Sequence, residues 1–276
     1  MKILISNNLV INSKNDLVYI TFPRISACGC VRHAFSTRHG GVSRGDAASM
    51  NLSFNKDKSR EAVIRNFEIL CGAVGIKTEN LVLSHQTHTN NVITVNESHR
   101  GTGIFKEPFC DVDGMVTNCK EVALVTQYAD CTPLVFCDPV KKVIAASHAG
   151  WRGTVKLIGK CTVDKMVNEF GCNPKDIIAG IGPCIGECCY EVDDPVIDEF
   201  KKLDFLSLSK FVTPKADGKY MLNLTEANRQ ILVYSGIDEN NIDVNDICTC
   251  CNSEDLHSHR ATAGKRGNLA LIIELI

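Results

Sequence analysis

A-D-C-T-P-L-V-F-C-D-P-V-K-K-V-I-A-A-S-H-A-G-W-R-G-T, residues 129–154, is the stretch whose reading decides the fold. Thr132 precedes Pro133, which biases it toward extended backbone, so Leu134–Phe136 reads as a short buried strand ending at the Asp138-Pro139 turn. Cys131 then stands at a strand entrance. Val143–Ala146 reads as a second strand, with His148 just past its end and Gly150 and Gly153 in a tight loop. From Thr154, read as an N-cap, the residues Val155, Ile158, Thr162 and Met166 recur at helical spacing. The loop 149–153 would therefore aim unpaired backbone N–H groups outward, a setting that favours an anion, and Arg152 adds a fixed positive charge. A thiol and an imidazole, each where an apolar run meets a break, are the makings of a site.

Composition narrows the chemistry. The chain has 276 residues, and its glycines and prolines are scattered without a linker or repeat, so one domain over 1–276 is expected. With 30 Lys+Arg against 32 Asp+Glu there is no basic excess to drive binding to nucleic acid or a membrane surface. Small molecules are the expected partners. The N-terminal M-K-I-L-I-S-N-N-L-V turns polar before a signal-peptide core forms, and no apolar run approaches the roughly 18 residues of a spanning helix. A cytoplasmic protein is expected, and its 15 cysteines are then mostly reduced thiols.

Outward from the central stretch, Leu17–Phe22 and Val31–Phe35 read as strands on either side of a Cys28-Gly29-Cys30 turn. The loop S-T-R-H-G-G-V-S-R-G-D-A-A-S-M-N-L carries Gly40, Gly41 and Gly45, which let backbone approach a ligand, and Arg38 at its start is a candidate anion holder. The segment 57–74 reads as a helix with the apolar stripe Val63, Ile64, Phe67, Leu70, Cys71 and Val74. Leu81–Leu83 delivers His85 and His88, of which only one need be a ligand, before a strand at Val92–Val95. Asp113, in an Asp-Gly turn ahead of Met115–Thr117, can orient a ligating histidine by hydrogen bond. Val122–Val125 and Ile177–Ile181 read as strands, and Asp194-Pro195 starts a helix by cap and N1 rules. Another helix begins at Asn223, with Glu226 in the capping-box position, and stops at Gly236. Ile242–Ile247 and Leu269–Leu275 complete the strands. Short strands outnumber helices and the two are not regularly interleaved, which points to an α+β fold with mixed sheets.

Taken together, F-S-T-R-H-G-G-V-S (35–43) with Asn51-Leu52, Q-T-H (86–88), D-G-M-V-T (113–117), A-D-C-T-P (129–133), H-A-G-W-R-G (148–153), G-P-C-I (182–185), S-H-R (258–260) and G-K-R (264–266) form a specific set. On these motifs the chain resembles, over almost its whole length, the bacterial polyphenol-oxidase "laccase" family, regarded as purine nucleoside phosphorylases with adenosine deaminase activity. The resemblance implies a four-layer αββα sandwich and a catalytic zinc held by His88, Cys131 and His148, with copper as the other ion to consider. It also implies substrates that are purine nucleosides (adenosine, inosine, S-methyl-5'-thioadenosine) and phosphate, and no obligate protein partner. Two imidazoles and one thiolate leave a fourth position open on zinc, as in catalytic sites. Candidate holders of phosphate and substrate are Arg38, Arg152, Arg260, Arg266, Asn51 and the backbone at Gly150 and Gly153. The family's glycine is replaced by Thr89, and its aromatic residues by His257 and His259.

Rival readings differ in class. A cysteine amidase acting on a peptidoglycan precursor would use Cys131 as nucleophile and His148 as base, without a metal. A non-catalytic metal-binding protein would use Cys184, Cys188, Cys189, Cys248, Cys250 and Cys251, although their spacings do not make a clean pair of C-x-x-C hooks. A true multicopper oxidase needs several His-x-His pairs, and only His257-Ser258-His259 has that form.

Overall fold

A computed structural model describes residues 4–276, so the first three residues of the N-terminal stretch lie outside it. The expected α+β class with mixed sheets is what forms. A seven-stranded sheet runs, edge to edge, Val10–Lys14, Leu17–Thr21, Val31–Ser36, Leu269–Leu275, Ala123–Tyr128, Leu81–His85 and Phe109–Cys110. A six-stranded sheet runs Ile242–Val244, Ile178–Ile181, Thr132–Asp138, Val143–Ala149, Gly114–Thr117 and Val92–Thr94. Both mix parallel and antiparallel pairs.

Period-two alternation sorts the side chains into layers. In Thr132–Asp138, Val135 and Cys137 join the core between the two sheets, while Leu134 and Phe136 face the helices behind. In Leu269–Leu275, Leu271 and Ile273 point to the inter-sheet core, and Ala270 and Ile272 face the helix Arg60–Val74. That helix starts at Ser59, whose side chain accepts from the Ala62 N–H, and ends at Gly75 in the left-handed region. It buries Val63, Phe67, Leu70 and Cys71, and full burial of a large apolar side chain is worth roughly 1.5–3 kcal/mol. The opposite sheet is covered by Ile158–Phe170 and Leu224–Tyr234, the latter capped by Asn223 as its sequence requires. The order is helix, sheet, sheet, helix. A small three-stranded sheet, with the helix Asp194–Lys201, builds a satellite core around Phe200 and Phe211.

The junction after His148 departs from expectation. The strand runs on through Ala149, so His148 lies inside it, opposite Pro133, and donates its backbone N–H to the Asp113 carbonyl at 2.7 Å. Gly150, not Thr154, is the N-cap of a short helix, Trp151–Val155. Leu157, at φ 62°, breaks the chain before the long helix begins at Ile158. Thr154 is buried and accepts a hydrogen bond from Asn228 at 3.1 Å, a tie between helices. Apolar spacing alone could not show the break, because Val155 and Ile158 stay in phase across it.

Candidate active site

Two chain crossings between the sheets make the site. The segment from Leu81–His85 to Val92–Thr94 carries His88, and the segment from Ala123–Tyr128 to Thr132–Asp138 carries Cys131. His148 comes from within the six-stranded sheet. The donor atoms of the three residues lie within 4.8 Å of one another, with His88 Nε2 3.7 Å from Cys131 Sγ. The two imidazole rings meet edge to face at 4.8 Å.

Asp113 organises this centre. Its carboxylate accepts from the backbone N–H groups of Thr87, His88 and Thr89 at 2.9–3.1 Å, from the Thr89 hydroxyl, and from His148 Nδ1 at 2.8 Å. His88 sits at φ 64°, a conformation the turn holds through those bonds. With Nδ1 committed to Asp113, His148 has Nε2 left to act as a ligand. Asp130, at φ 86°, fixes the second crossing by accepting from the Thr249 hydroxyl (2.6 Å) and the Arg260 N–H (2.7 Å).

The electrostatics are mutually reinforcing. Burial alone would raise the Cys131 thiol, but His148 and His88 bring it down to about 6. Burial would lower His148, but the Cys131 sulfur and Asp113 carry it up to about 9. Asp113 is likewise opposed by burial, yet His148 and the N–H donors hold it below the ordinary carboxyl range. Each of the two thus favours the charged form of the other. Two imidazoles and one thiolate at this spacing also suit a single metal ion, with the side toward the cavity left for substrate or water.

Gly150 is required here. A Cβ on it would stand 2.7 Å from His88 Cδ2 and 2.9 Å from Cys131 Sγ. Gly153 instead faces the carbonyls of His148 and Thr89 and does not reach the centre.

The three residues form part of the wall of a cavity of about 590 Å³, within the range of small-molecule sites. Its cations are Lys56, Arg60, Lys106 and Arg266, and Phe54, Phe105, His85, Gln86 and Glu107 also line it. Of the arginines expected from sequence, the structure brings Arg266 to the cavity wall. Arg38 donates to the carbonyls of Ala48 (3.0 and 3.1 Å) and Ser253 (2.6 Å), tying two loops together. Arg152 is exposed and stacks on Trp151 at 4.3 Å. Arg260 is exposed and donates to the carbonyls of Cys189 and Glu191. Asn51 is buried and accepts from the N–H groups of Ser53 and Asn268, both cavity residues, so it positions the wall. Lys56, Arg60 and Lys106 escaped sequence reasoning because no motif joins them. Two polar groups on the wall are buried without a partner, Arg266 Nε and Ser84 Oγ.

His257 is fully buried and accepts from the Gly267 N–H at 3.3 Å; burial, with the charges of Arg38 and Arg266, pushes it down to about 3. His259 is exposed, so this pair is not a metal-binding His-x-His. Of the six clustered cysteines, Cys188, Cys189, Cys248 and Cys251 are gathered within 4.8 Å, while Cys184 and Cys250 stay outside that group. Among the described residues no helix is long and apolar enough to cross a membrane.

Known proteins resemble the chain in sequence and in fold. The chain is 37% identical over 241 residues to purine nucleoside phosphorylase YlmD of Bacillus subtilis, covering 87% of this chain and 86% of that one. It is 34% identical over 230 residues to adenosine deaminase RL5 from an unknown prokaryotic organism, covering 82% and 87%. The crystal structure of the Bacillus licheniformis hypothetical protein YfiH superposes with a TM-score of 0.92 at 32% identity, covering 98% of this chain and all of that one. The model of the multi-copper polyphenol oxidoreductase laccase family matches residues 32–276, and the chain belongs to that family.

Proposed function

We propose that this chain, as one domain over 1–276, is a purine nucleoside phosphorylase with adenosine deaminase activity beside it. Its substrates on this reading are adenosine, inosine and S-methyl-5'-thioadenosine, at a site where His88, Cys131 and His148 hold zinc. The observation that carries the reading is the His/Cys/His centre on the wall of a cavity lined by four cationic side chains. The relatives named for these two activities support it.

Zinc on these three ligands would supply Lewis-acid polarisation and lower the pKa of water, the chemistry that hydrolytic deamination at C6 of adenosine requires. The chain's own residues do the rest. Asp113 holds His148 in one tautomer and orientation and fixes the His88 turn. In phosphorolysis a phosphate oxygen bonds to C1′ as the bond from C1′ to the purine breaks, giving ribose 1-phosphate and free base. Arg266, on the cavity wall, is suited to hold that phosphate by its charge, and Lys56 and Arg60 add positive charge along the same wall. Phe105, 57% exposed on the cavity lining, offers a face for a purine.

A second reading draws on the lowered Cys131 thiol beside His148: a cysteine amidase needs such a pair and no metal. Turnover of adenosine with and without phosphate, with products separated, tests both. Ribose 1-phosphate formed only with phosphate establishes the phosphorylase, and inosine formed without it the deaminase. Neither product from zinc-loaded protein would overturn the proposal.

A further inference from the structure

The four-thiol cluster belongs to no part of the site above. Cys188 and Cys189 lie on the turn after Ile178–Ile181, closed by the N–H groups of Cys189 and Tyr190 donating to the Gly186 carbonyl at 3.0 Å. Cys248 and Cys251 form a C-x-x-C turn that reaches them from the far end of the sequence, through the Thr249 N–H donating to the Cys184 carbonyl at 3.0 Å. Cys251 Sγ stands 3.4 Å from both Cys188 Sγ and Cys189 Sγ. Cys248 Sγ accepts from two backbone N–H groups, Gly186 at 3.2 Å and Cys251 at 3.5 Å. Gly186 packs on the cluster as Gly150 packs on the first centre: a Cβ there would meet Cys188 Sγ at 3.2 Å and Cys248 Sγ at 3.3 Å.

A cluster of packing cysteines or a disulfide accounts for less of this. A disulfide joins two sulfurs, whereas Cys251 is approached equally by two others and Cys248 is set up as an anion by its N–H donors. Four thiolates tetrahedral about zinc, at Zn–S near 2.3 Å, stand about 3.8 Å apart. The observed 3.4 Å contacts and 4.8 Å limit bracket that value and leave room for one ion. The outer thiols are exposed, so an ion has access.

We propose that Cys188, Cys189, Cys248 and Cys251 form a second, structural site for one tetrahedral zinc ion. It joins the 182–190 turn to the 247–252 turn. The first of these turns holds Arg260 through the Cys189 carbonyl, and Ser253, directly after the second, holds Arg38 through its carbonyl, so the ion braces the loop that leads to Arg266. The inference stands apart from the nucleoside reading, since none of its four ligands lines the cavity.

The test is zinc content of the full chain, purified under reducing conditions from zinc-supplemented cells, with cobalt(II) substitution as a spectroscopic readout. Wild-type protein should hold about two zinc ions per chain. Cys188→Ser/Cys251→Ser should hold about one, lose the intense absorption of a tetrathiolate cobalt centre, and melt at a lower temperature. If that variant is insoluble, Cys131→Ser decides, since it must retain one zinc and the tetrathiolate spectrum. Wild type with one zinc that Cys131→Ser removes would overturn the second site, as would a disulfide trapped among these four residues. One zinc lost only from the serine double variant would keep this site and count against zinc at the first.

Discussion

The two thiol-bearing centres differ in a way that separates chemistry from support. The first offers three donors, has a carboxylate behind one imidazole, and opens on a cavity. The second offers four donors of one kind and faces no cavity residues. A vacant position allows reaction, and a filled coordination sphere allows only holding. Both centres keep a glycine where a Cβ would displace ligand atoms, so close packing alone does not distinguish them. The number of donors and the neighbouring wall do.

The sharpest way to break this contrast is at Cys131. Cys131→Ser should reduce both phosphorolysis and deamination to background, whereas Cys188→Ser/Cys251→Ser should keep both at a temperature where it stays folded. Kinetic assays of the two variants side by side check this, and equal collapse would erase the distinction.

Next in size is the cavity wall. Arg266→Lys keeps the charge but loses the planar fork, so phosphorolysis should fall about 10²–10³-fold while deamination changes far less. Arg38→Lys should behave differently, because its guanidinium bridges the Ala48 and Ser253 carbonyls. Its loss should cost roughly 1–3 kcal/mol of stability and lower both activities together. Product-resolved assays with urea melts separate the two cases.

Asp113→Asn sharpens the contrast from the support side. It should weaken metal binding at the first centre by about 10–100-fold and leave the four-thiol centre unchanged, as competition with a chelator would show. The sign with pH follows from the depressed Asp113 carboxyl. Its stabilising contribution is fully present above the ordinary carboxyl pKa and is lost as pH falls through the lower folded value, so mutant and wild type should converge only in strong acid.

The smallest effect is a titration. In chelator-treated protein the alkylation rate of Cys131 should rise through pH of about 6, and His148→Ala should move that midpoint upward. Cys188, held up to about 12 by burial and its neighbouring thiols, should not react in that window. A common midpoint for both would mean that the two environments are not distinct.

What was legible in the sequence was local or strongly patterned. The strand Leu269–Leu275 and the Asn223 cap could be read directly, because each depends on adjacent residues. His88, Cys131 and His148 could be read because each ends or borders an apolar run, and the family motifs singled them out. Of the cavity's cations, Arg266 was legible in G-K-R and the other three were not. Arg38, Arg152 and Arg260 lie beside glycines or within motifs, yet Arg38 and Arg260 are spent on carbonyls that irregular loops leave unpaired, and Arg152 sits over the Trp151 ring. Lys56, Arg60 and Lys106 come from unremarkable segments and meet only in three dimensions. The four thiols were obscured for the same reason: counting within each cluster cannot show which members of two distant turns face each other.

The position of Leu269–Leu275 bears on how the molecule is assembled. This strand lies between Val31–Ser36 and Ala123–Tyr128, so the middle of the seven-stranded sheet is supplied by a segment far along the chain from both of its neighbours. Until it pairs, the two halves of that sheet have no ladder between them, and their apolar faces are open to aggregation. The sheet therefore closes only through pairings of long sequence separation, and a variant lacking residues 269–275 should remain protease-sensitive on both sides of the gap.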